Sequence, residues 1–484
     1  MIEEKAGAQI SAKAFIQSLL ILFALMIIVG VLTLIIPAGH YARTIQSGRE
    51  IIDPNSFQII ARPDYPIWRW LLAPIEVLGG PDGLTIITII VFILMVGASF
   101  AVLDQGGIVR AVIGRIVKRF GKQKYRLLLI ITLFFMILGA FFGIFEEVLP
   151  LVPVMIALAY WLGWDSLVGL GMSILATNMG FSAALTNPFT IGVAQKIAGL
   201  PLFSGIELRI PIFLAIYAVL AIFLVRYAKR IDRTPQSSNI FGDDQAARAK
   251  YRQLDIEALA APNPHLTRAI IWFVICVAVI LVVLIAAPFM PAIADYSLPI
   301  VGILFLAGGI GAGLLGNPDR RAVWTAAWQG LTGIAPGVVL ILMAASIKYI
   351  AAQGGIMDTL LQGAVQILAH TSPLVAALIV YLLALLIEFF VASGSAKAFL
   401  MMPILLPLAD LIGVTRQTTV LAYTFGDGFS NLAYPTNPVL LIALGLTVVS
   451  YPKWLKWTLK LWFWVLLVSV AFLALAVALH FGPF

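Results

Sequence analysis

Residues 186–188 read Thr186-Asn187-Pro188 and residues 436–438 read Thr436-Asn437-Pro438. Working outward from this pair, Pro153 and Gly163 recur as Pro403 and Gly413, again 250 positions on. Gln105-Gly106-Gly107-Ile108 recurs as Gln353-Gly354-Gly355-Ile356 at an offset of 248. One tripeptide could coincide by chance. Four matches in order at nearly constant spacing read as a duplicated unit.

Composition says where that unit sits. Of 484 residues, 61% are hydrophobic and 11% charged, against roughly 45–50% and about 25% in soluble domains. So few charges cannot coat a water-soluble surface, which excludes a soluble enzyme, a disordered chain and a secreted disulfide scaffold. The net charge of +8 does not point to nucleic acid. The basic residues lie between apolar runs, where they set orientation against membrane lipid. The single cysteine, Cys276, allows neither an internal disulfide nor a cysteine metal site.

Apolar runs at 15–36, 84–103, 210–228, 269–287, 298–316, 334–351 and 461–480 are long enough to span. The first exceeds the h-region of a signal peptide and reads as a retained helix. Stretches 127–163 and 373–413 are apolar but interrupted by polar residues, and read as re-entrant hairpins. The returning arm of the first, Val148 to Tyr160, reaches only about 20 Å against a hydrocarbon core of about 30 Å. Stretches 166–199 and 418–450 read as spanning helices broken by Asn, Thr, Gly and Pro.

Charge gives the orientation. Residues 104–126 carry seven Lys/Arg, whereas the matching 352–372 carries none. Positive segments stay cytoplasmic, so the two copies should be inverted. The expected fold is an all-α polytopic membrane protein of about nine crossings. Each half has four spanning helices, one of them broken, plus one re-entrant hairpin. The N-terminal repeat is 1–228, a mobile cytoplasmic linker 229–268, an unpaired central helix 269–287, and the C-terminal inverted repeat 298–484. In the cell membrane (inner or plasma), the N-terminus is cytoplasmic and the C-terminus outside. Of 31 Lys/Arg, 22 then fall inside and six outside.

Inverted repeats with broken helices are a transporter architecture, because unwound backbone at membrane depth is tolerated where it lines a cavity or is buried in protein. Hairpin one carries Glu146-Glu147 at its tip, and hairpin two carries Ser393-Gly394-Ser395-Ala396-Lys397. Lys397 is the counterpart of Glu147 at the 250 offset, so these opposite charges are expected near one another, contacting substrate or locking the halves together. Glu388 reads as an interior structural group. The broken helices carry Asn178, Thr186 and Asn187 in one copy and Asp427, Thr436 and Asn437 in the other. The Asn and Thr side chains supply neutral oxygen and nitrogen ligands that suit a carboxylate, an ammonium or Na⁺ without fixing which. Asn178 and Asp427 are candidates for a coupling ion, Asp427 alternatively for a helix cap. Lys348 lies within an apolar run. His40, His265, His370 and His480 show no metal-ligand spacing, and Trp454, Trp457, Trp462 and Trp464 read as an interfacial anchor. No Walker A motif, nucleophile–base pair or metal cluster is present, so neither ATP-driven transport nor an enzyme is expected.

These residues resemble a known family. Gly143-Ile144-Phe145-Glu146-Glu147 with Pro150, Ser393-Gly394-Ser395 with Met402-Pro403-Ile404, Pro407-Leu408-Ala409-Asp410 and Phe425-Gly426-Asp427-Gly428 look like the ion transporter superfamily. Within it, the chain resembles the anaerobic C4-dicarboxylate carrier family and its YfcC-type branch, which includes arginine–ornithine antiporters. The resemblance implies an elevator-like secondary carrier, a homodimer, with Glu146, Glu147, Thr186, Asn187, Ser393, Ser395, Thr436 and Asn437 lining the substrate site. The arginine-exchanging members have an apolar or small residue where this chain has Lys397. A lysine there favours a substrate with at least one carboxylate, or a Lys–Glu pair that opens on binding. The expected function is therefore a secondary transporter or exchanger of small amino acids or organic acids, with Na⁺ or H⁺ as coupling ion and no other cofactor. The alternative is a cation/proton exchanger or channel without an organic substrate.

Overall fold

The computed structural model describes residues 12–46, 49–53, 55–252, 263–286, 290, 296–368 and 371–482. The chain is an all-α polytopic membrane protein. Its described strands are two short antiparallel pairs, Gly39–His40 with Gln58–Ile59 and Arg43–Gln46 with Arg49–Ile52. Among the described residues nine helices are long and apolar enough to cross a membrane. Ala12–Ile35 alone has 24 residues, about 36 Å at 1.5 Å per residue.

Nine is the expected number, but the membership differs. The long apolar set includes Gly121–Phe142 and Gly394–Ile412, each an arm of a hairpin. It leaves out the broken helices, whose leading segments Ser166–Ser182 and Arg416–Phe429 are too short. Length of apolar run does not distinguish a hairpin arm from a span, because both must be apolar on every side.

Hairpin one has arms Lys124–Phe142 and Val152–Trp161. Gly143, at φ 68°, ends the first arm in the left-handed region that glycine enters without strain. A 3-10 turn, Glu146–Leu151, carries Pro150 and reverses the chain. Lys124 Nζ donates to Leu162 O at 3.4 Å, so the returning arm ends level with the start of the first. Hairpin two has arms Pro373–Glu388 and Gly394–Ile412. Ala376, Ile412 and Val414 line one small void at its open end.

The bases of the hairpins lie at opposite ends of Ile206–Arg233, a helix of 28 residues. Lys124 meets Asp232 Oδ1 at 2.6 Å at one end. At the other, Gln417, just beyond hairpin two, is hydrogen-bonded to Ser204.

Three local bonds recur between the two sequence halves. Trp164 N–H donates to Ala159 O at 2.8 Å, and Val414 N–H to Ala409 O at 2.9 Å. Asp165 caps the next helix through Val168 N–H, as Thr415 does through Thr418 N–H. Asn187 Oδ1 accepts from Phe189 N–H and Asn437 Oδ1 from Val439 N–H, both at 2.9 Å. Each Asn-Pro is therefore a helix start, the asparagine capping and the proline filling the first position where no donor is needed.

Packing draws on both sequence halves. Gly83–Gln105 packs against Ser297–Gly316 and Arg320–Ile334, and Ser297–Gly316 against Pro264–Ala286. The hairpins pack against the broken helices, and these against each other. Glycines set the closest approaches: a Cβ on Gly426 would strike the backbone of the Tyr381 turn in hairpin two.

Two local expectations change. The linker is not loose up to residue 252. Phe241–Arg252 docks on hairpin one's base, with Asp244 fully buried and Arg248 donating to Gly163 O at 2.9 Å. Residues 253–262 lie outside the described residues, as does His370. Trp454 and Trp457 are not an interfacial anchor. They are buried, and Trp454 Nε1 donates to Leu432 O at 2.8 Å, because an indole inside protein needs an acceptor. Trp464 remains exposed.

Candidate functional site

Both hairpin tips and the second helix break meet around a central cavity of about 340 Å³, within the range of small-solute sites. Hairpin one contributes Gly143, Glu146 and Glu147; hairpin two contributes 389–390 and 392–395; the second broken helix contributes Asn431, Thr436 and Asn437. Asp82, Thr85, Ser297 and Lys348 complete the polar wall.

Of the residues named from sequence, Glu146, Glu147, Ser393, Ser395, Thr436 and Asn437 line this cavity. Glu147 is fixed: its Oε2 accepts from Phe145 N–H at 3.2 Å and its Oε1 from Ser297 Oγ at 2.9 Å. Glu146 carries no such tether among the described residues. Ser393 caps the second arm of hairpin two, its Oγ accepting from Ala396 N–H at 3.4 Å.

Thr186, Asn187 and Lys397 are not on the wall. Leu185 N–H and Thr186 N–H donate to Ala140 O at 2.8 and 3.1 Å, and Thr186 Oγ1 donates to Phe141 O at 2.9 Å. The polar groups of the first helix break thus satisfy the frayed end of hairpin one, and the break meets the cavity through Phe181 and Phe189. Asn187 sits behind Gly143, where any Cβ would strike its Oδ1. The two breaks differ in what they present to the cavity, the second Asn431, Thr436 and Asn437 and the first two phenylalanine rings.

Lys397 does not approach Glu147. It is fully buried, bonded to Glu388 and, at 2.7 Å, to Asp427 Oδ1. A buried ammonium requires anionic partners. Glu388 brackets the same tip, so this pairing is local to hairpin two and needs nothing from hairpin one. Asp427, in the last turn of Arg416–Phe429, is therefore a partner of Lys397 and not a helix cap. Its Oδ2 has no hydrogen-bond partner among the described residues, and neither does either amide atom of Asn178. Gly394 separates this cluster from the cavity. A methyl on its Cα would lie 2.9 Å from Asp427 Oδ2 and 3.0 Å from Thr190 Cγ2.

Asp82 and Ser297 were not found from sequence, Asn431 was read only as part of the polar stretch 425–431 in the second broken helix, and Lys348 was noted only as a cation within an apolar run. Asp82 and Lys348 meet across 266 residues with Nζ to Oδ2 at 2.5 Å, a separation that no periodicity reports.

The model of the C4-dicarboxylate anaerobic carrier family, DcuC, matches residues 15–478. The chain belongs to this family. It is 30% identical over 470 residues to YfcC of Escherichia coli (strain K12), whose provisional name is basic amino acid antiporter. That match covers 91% of this chain and 92% of the relative. It is 26% identical over 403 residues to an uncharacterized protein of Haemophilus influenzae, covering 81% of this chain and 76% of the relative. The solved YdaH transporter of Alcanivorax borkumensis is similar at 18% identity and a TM-score of 0.35, covering 97% and 99% of the two chains. MtrF of Neisseria gonorrhoeae, described as illuminating a class of antimetabolite efflux pumps, is similar at 15% and 0.39, covering 94% of each. Scores this low make both likenesses too loose to bear on the site. Family membership makes the protein a multi-pass membrane carrier.

Proposed function

We propose that the chain is a secondary exchanger of amino acids bearing a net positive charge. The observation that carries this reading is the charge of the cavity wall. Its ionisable residues are Asp82, Glu146, Glu147 and Lys348. Asp82 and Lys348 neutralise one another, which leaves two carboxylates at the tip of hairpin one. Lys397, the cation that spoke against such a substrate in the sequence, is sequestered from the wall. An organic cation leaving water for membrane depth needs compensating carboxylates there, and Glu146 and Glu147 supply them. The name of the Escherichia coli relative agrees. A C4-dicarboxylate, as in the family's description, would bring two negative charges to a wall that already has an excess of them.

In this reading the cationic side chain faces Glu146 and Glu147, and Ser393, Ser395, Thr436 and Asn437 serve the polar remainder. The hairpins and broken helices move together as an elevator-like unit against the remaining helices, in each protomer of a homodimer. The entry of the hairpins from opposite ends of Ile206–Arg233 supports the inverted arrangement such a movement needs. The unpartnered Asn178 amide and Asp427 Oδ2 support a coupling-ion role for these two residues. Counterflow in proteoliposomes tests the proposal: labelled arginine should enter vesicles loaded with arginine, lysine or ornithine but not those loaded with succinate. Exchange with succinate alone would defeat it.

A further inference from the structure

A second cavity, about 880 Å³, adjoins the central one on the side carrying the short strands, with His40, Arg43 and Asp358 on its wall. Three residues line both cavities: Asp82, Lys348 and Ser395. The ion pair of Asp82 with Lys348 therefore stands at the junction, facing Ser395 of hairpin two. Asp82 occupies the N-cap position of Gly83–Gln105 yet makes no capping bond; its carboxylate goes to Lys348 instead.

The two ion pairs near the cavity differ in kind. Lys397 and its partners are at most 1% exposed, and separating them would strand buried charges. Lys348 and Asp82 keep 35% and 49% of their side-chain surface. A half-exposed pair gains little over its separated, hydrated ions, so it opens readily. Once open, it offers an ammonium and a carboxylate side by side, the complement of the carboxylate and ammonium on one α-carbon.

We propose that Asp82 and Lys348 are the head-group site for the substrate: an α-amino acid replaces both partners at once, its carboxylate on Lys348 and its ammonium on Asp82, and so passes the junction. This rests on the exchange of cationic amino acids and adds the part of the solute that Glu146 and Glu147 do not read. A solute with only one of the two groups leaves either Asp82 or Lys348 unmatched.

The test compares arginine with agmatine, which lacks the carboxylate, and with 5-guanidinopentanoate, which lacks the α-ammonium. Their binding is measured on the purified full chain, with succinate as a fourth ligand. The wild type should prefer arginine to either analogue by on the order of tenfold to a hundredfold, as expected for one lost charged hydrogen-bonded contact. Lys348→Gln should erase the preference over agmatine, and Asp82→Asn the preference over 5-guanidinopentanoate. Preferences that survive in both single variants would overturn the head-group role while leaving arginine binding intact. Binding of succinate and not arginine by the wild type would overturn the substrate class as well as this inference.

Discussion

Lys397 Nζ lies 2.7 Å from Asp427 Oδ1, and the same ammonium is bonded to Glu388. A lysine that the sequence sets at a hairpin tip is thereby held inside hairpin two and its broken helix, and the charge of the central cavity is decided by other residues.

Replacing Lys397 by methionine should leave Glu388 and Asp427 buried without a cation. The expected cost is about 3–5 kcal/mol, read as a lower melting temperature in detergent and poor recovery of folded protein. Combining Glu388→Gln, Lys397→Met and Asp427→Asn should return much of the stability, since no buried charge then lacks a partner. An unaltered melt in the single variant would mean the triad is not formed.

Glu146 and Glu147 should separate in their effects. Glu146→Gln removes an untethered carboxylate from the wall, so binding of basic amino acids should weaken by roughly tenfold to a hundredfold at an unchanged melting temperature. Glu147→Gln should weaken binding and also lower the melt, because Oε1 and Oε2 hold Ser297 and the Phe145 amide. Binding isotherms and melting curves on the same preparations check both.

Gly143→Ala places a Cβ on a residue at φ 68° and against Asn187 Oδ1. The left-handed backbone alone costs about 1–2 kcal/mol. The melt should fall by at least that equivalent, and substrate binding should fall with it, because Glu146 and Glu147 follow directly on this turn.

The docked linker helix should respond to pH. Asp244 accepts from Ser166 N–H at 3.1 Å and from Tyr160 and Ser166 hydroxyls. Burial first, then the charge of Asp165, pushes its carboxyl up from 3.8 to about 7. Docked, the group holds its proton at a pH where the free carboxyl has lost it. Its contribution to docking is thus fully present below the ordinary value and is lost as pH rises through about 7. Proteolysis at Arg248 and Arg252, expressed relative to an Asp244→Asn variant at each pH, should accelerate between about pH 6 and about pH 8. A flat ratio would contradict the buried carboxyl.

Much of the fold was legible because it is written in local signals. Asn187-Pro188 and Asn437-Pro438 mark the breaks in the two broken helices, and in the structure each restarts a helix there. Apolar runs long enough to span leave few alternatives to helix. The site was legible only in part. Six of its candidates line the cavity, Glu146, Glu147, Ser393 and Ser395 because a hairpin tip must face whatever lies at its depth, and Thr436 and Asn437 because the second helix break opens there. Lys397 and Asp82 were misjudged or missed because partners such as Asp427 and Lys348 are chosen by how helices pack, on which spacing along the chain is silent. The closing of the first break onto Ala140 was hidden for the same reason: its motif is identical to that of the open second break.

The central claim is that the wall formed by Glu146 and Glu147, with Lys397 withdrawn from it, selects a cationic amino acid. Thermal shift of the purified chain measures this most directly, because a ligand that binds only the native state raises its apparent melting temperature. Arginine, lysine or ornithine should raise the melt, succinate and fumarate should not, and Glu146→Gln should abolish the rise. A rise with the dicarboxylates and none with the basic amino acids would contradict the account.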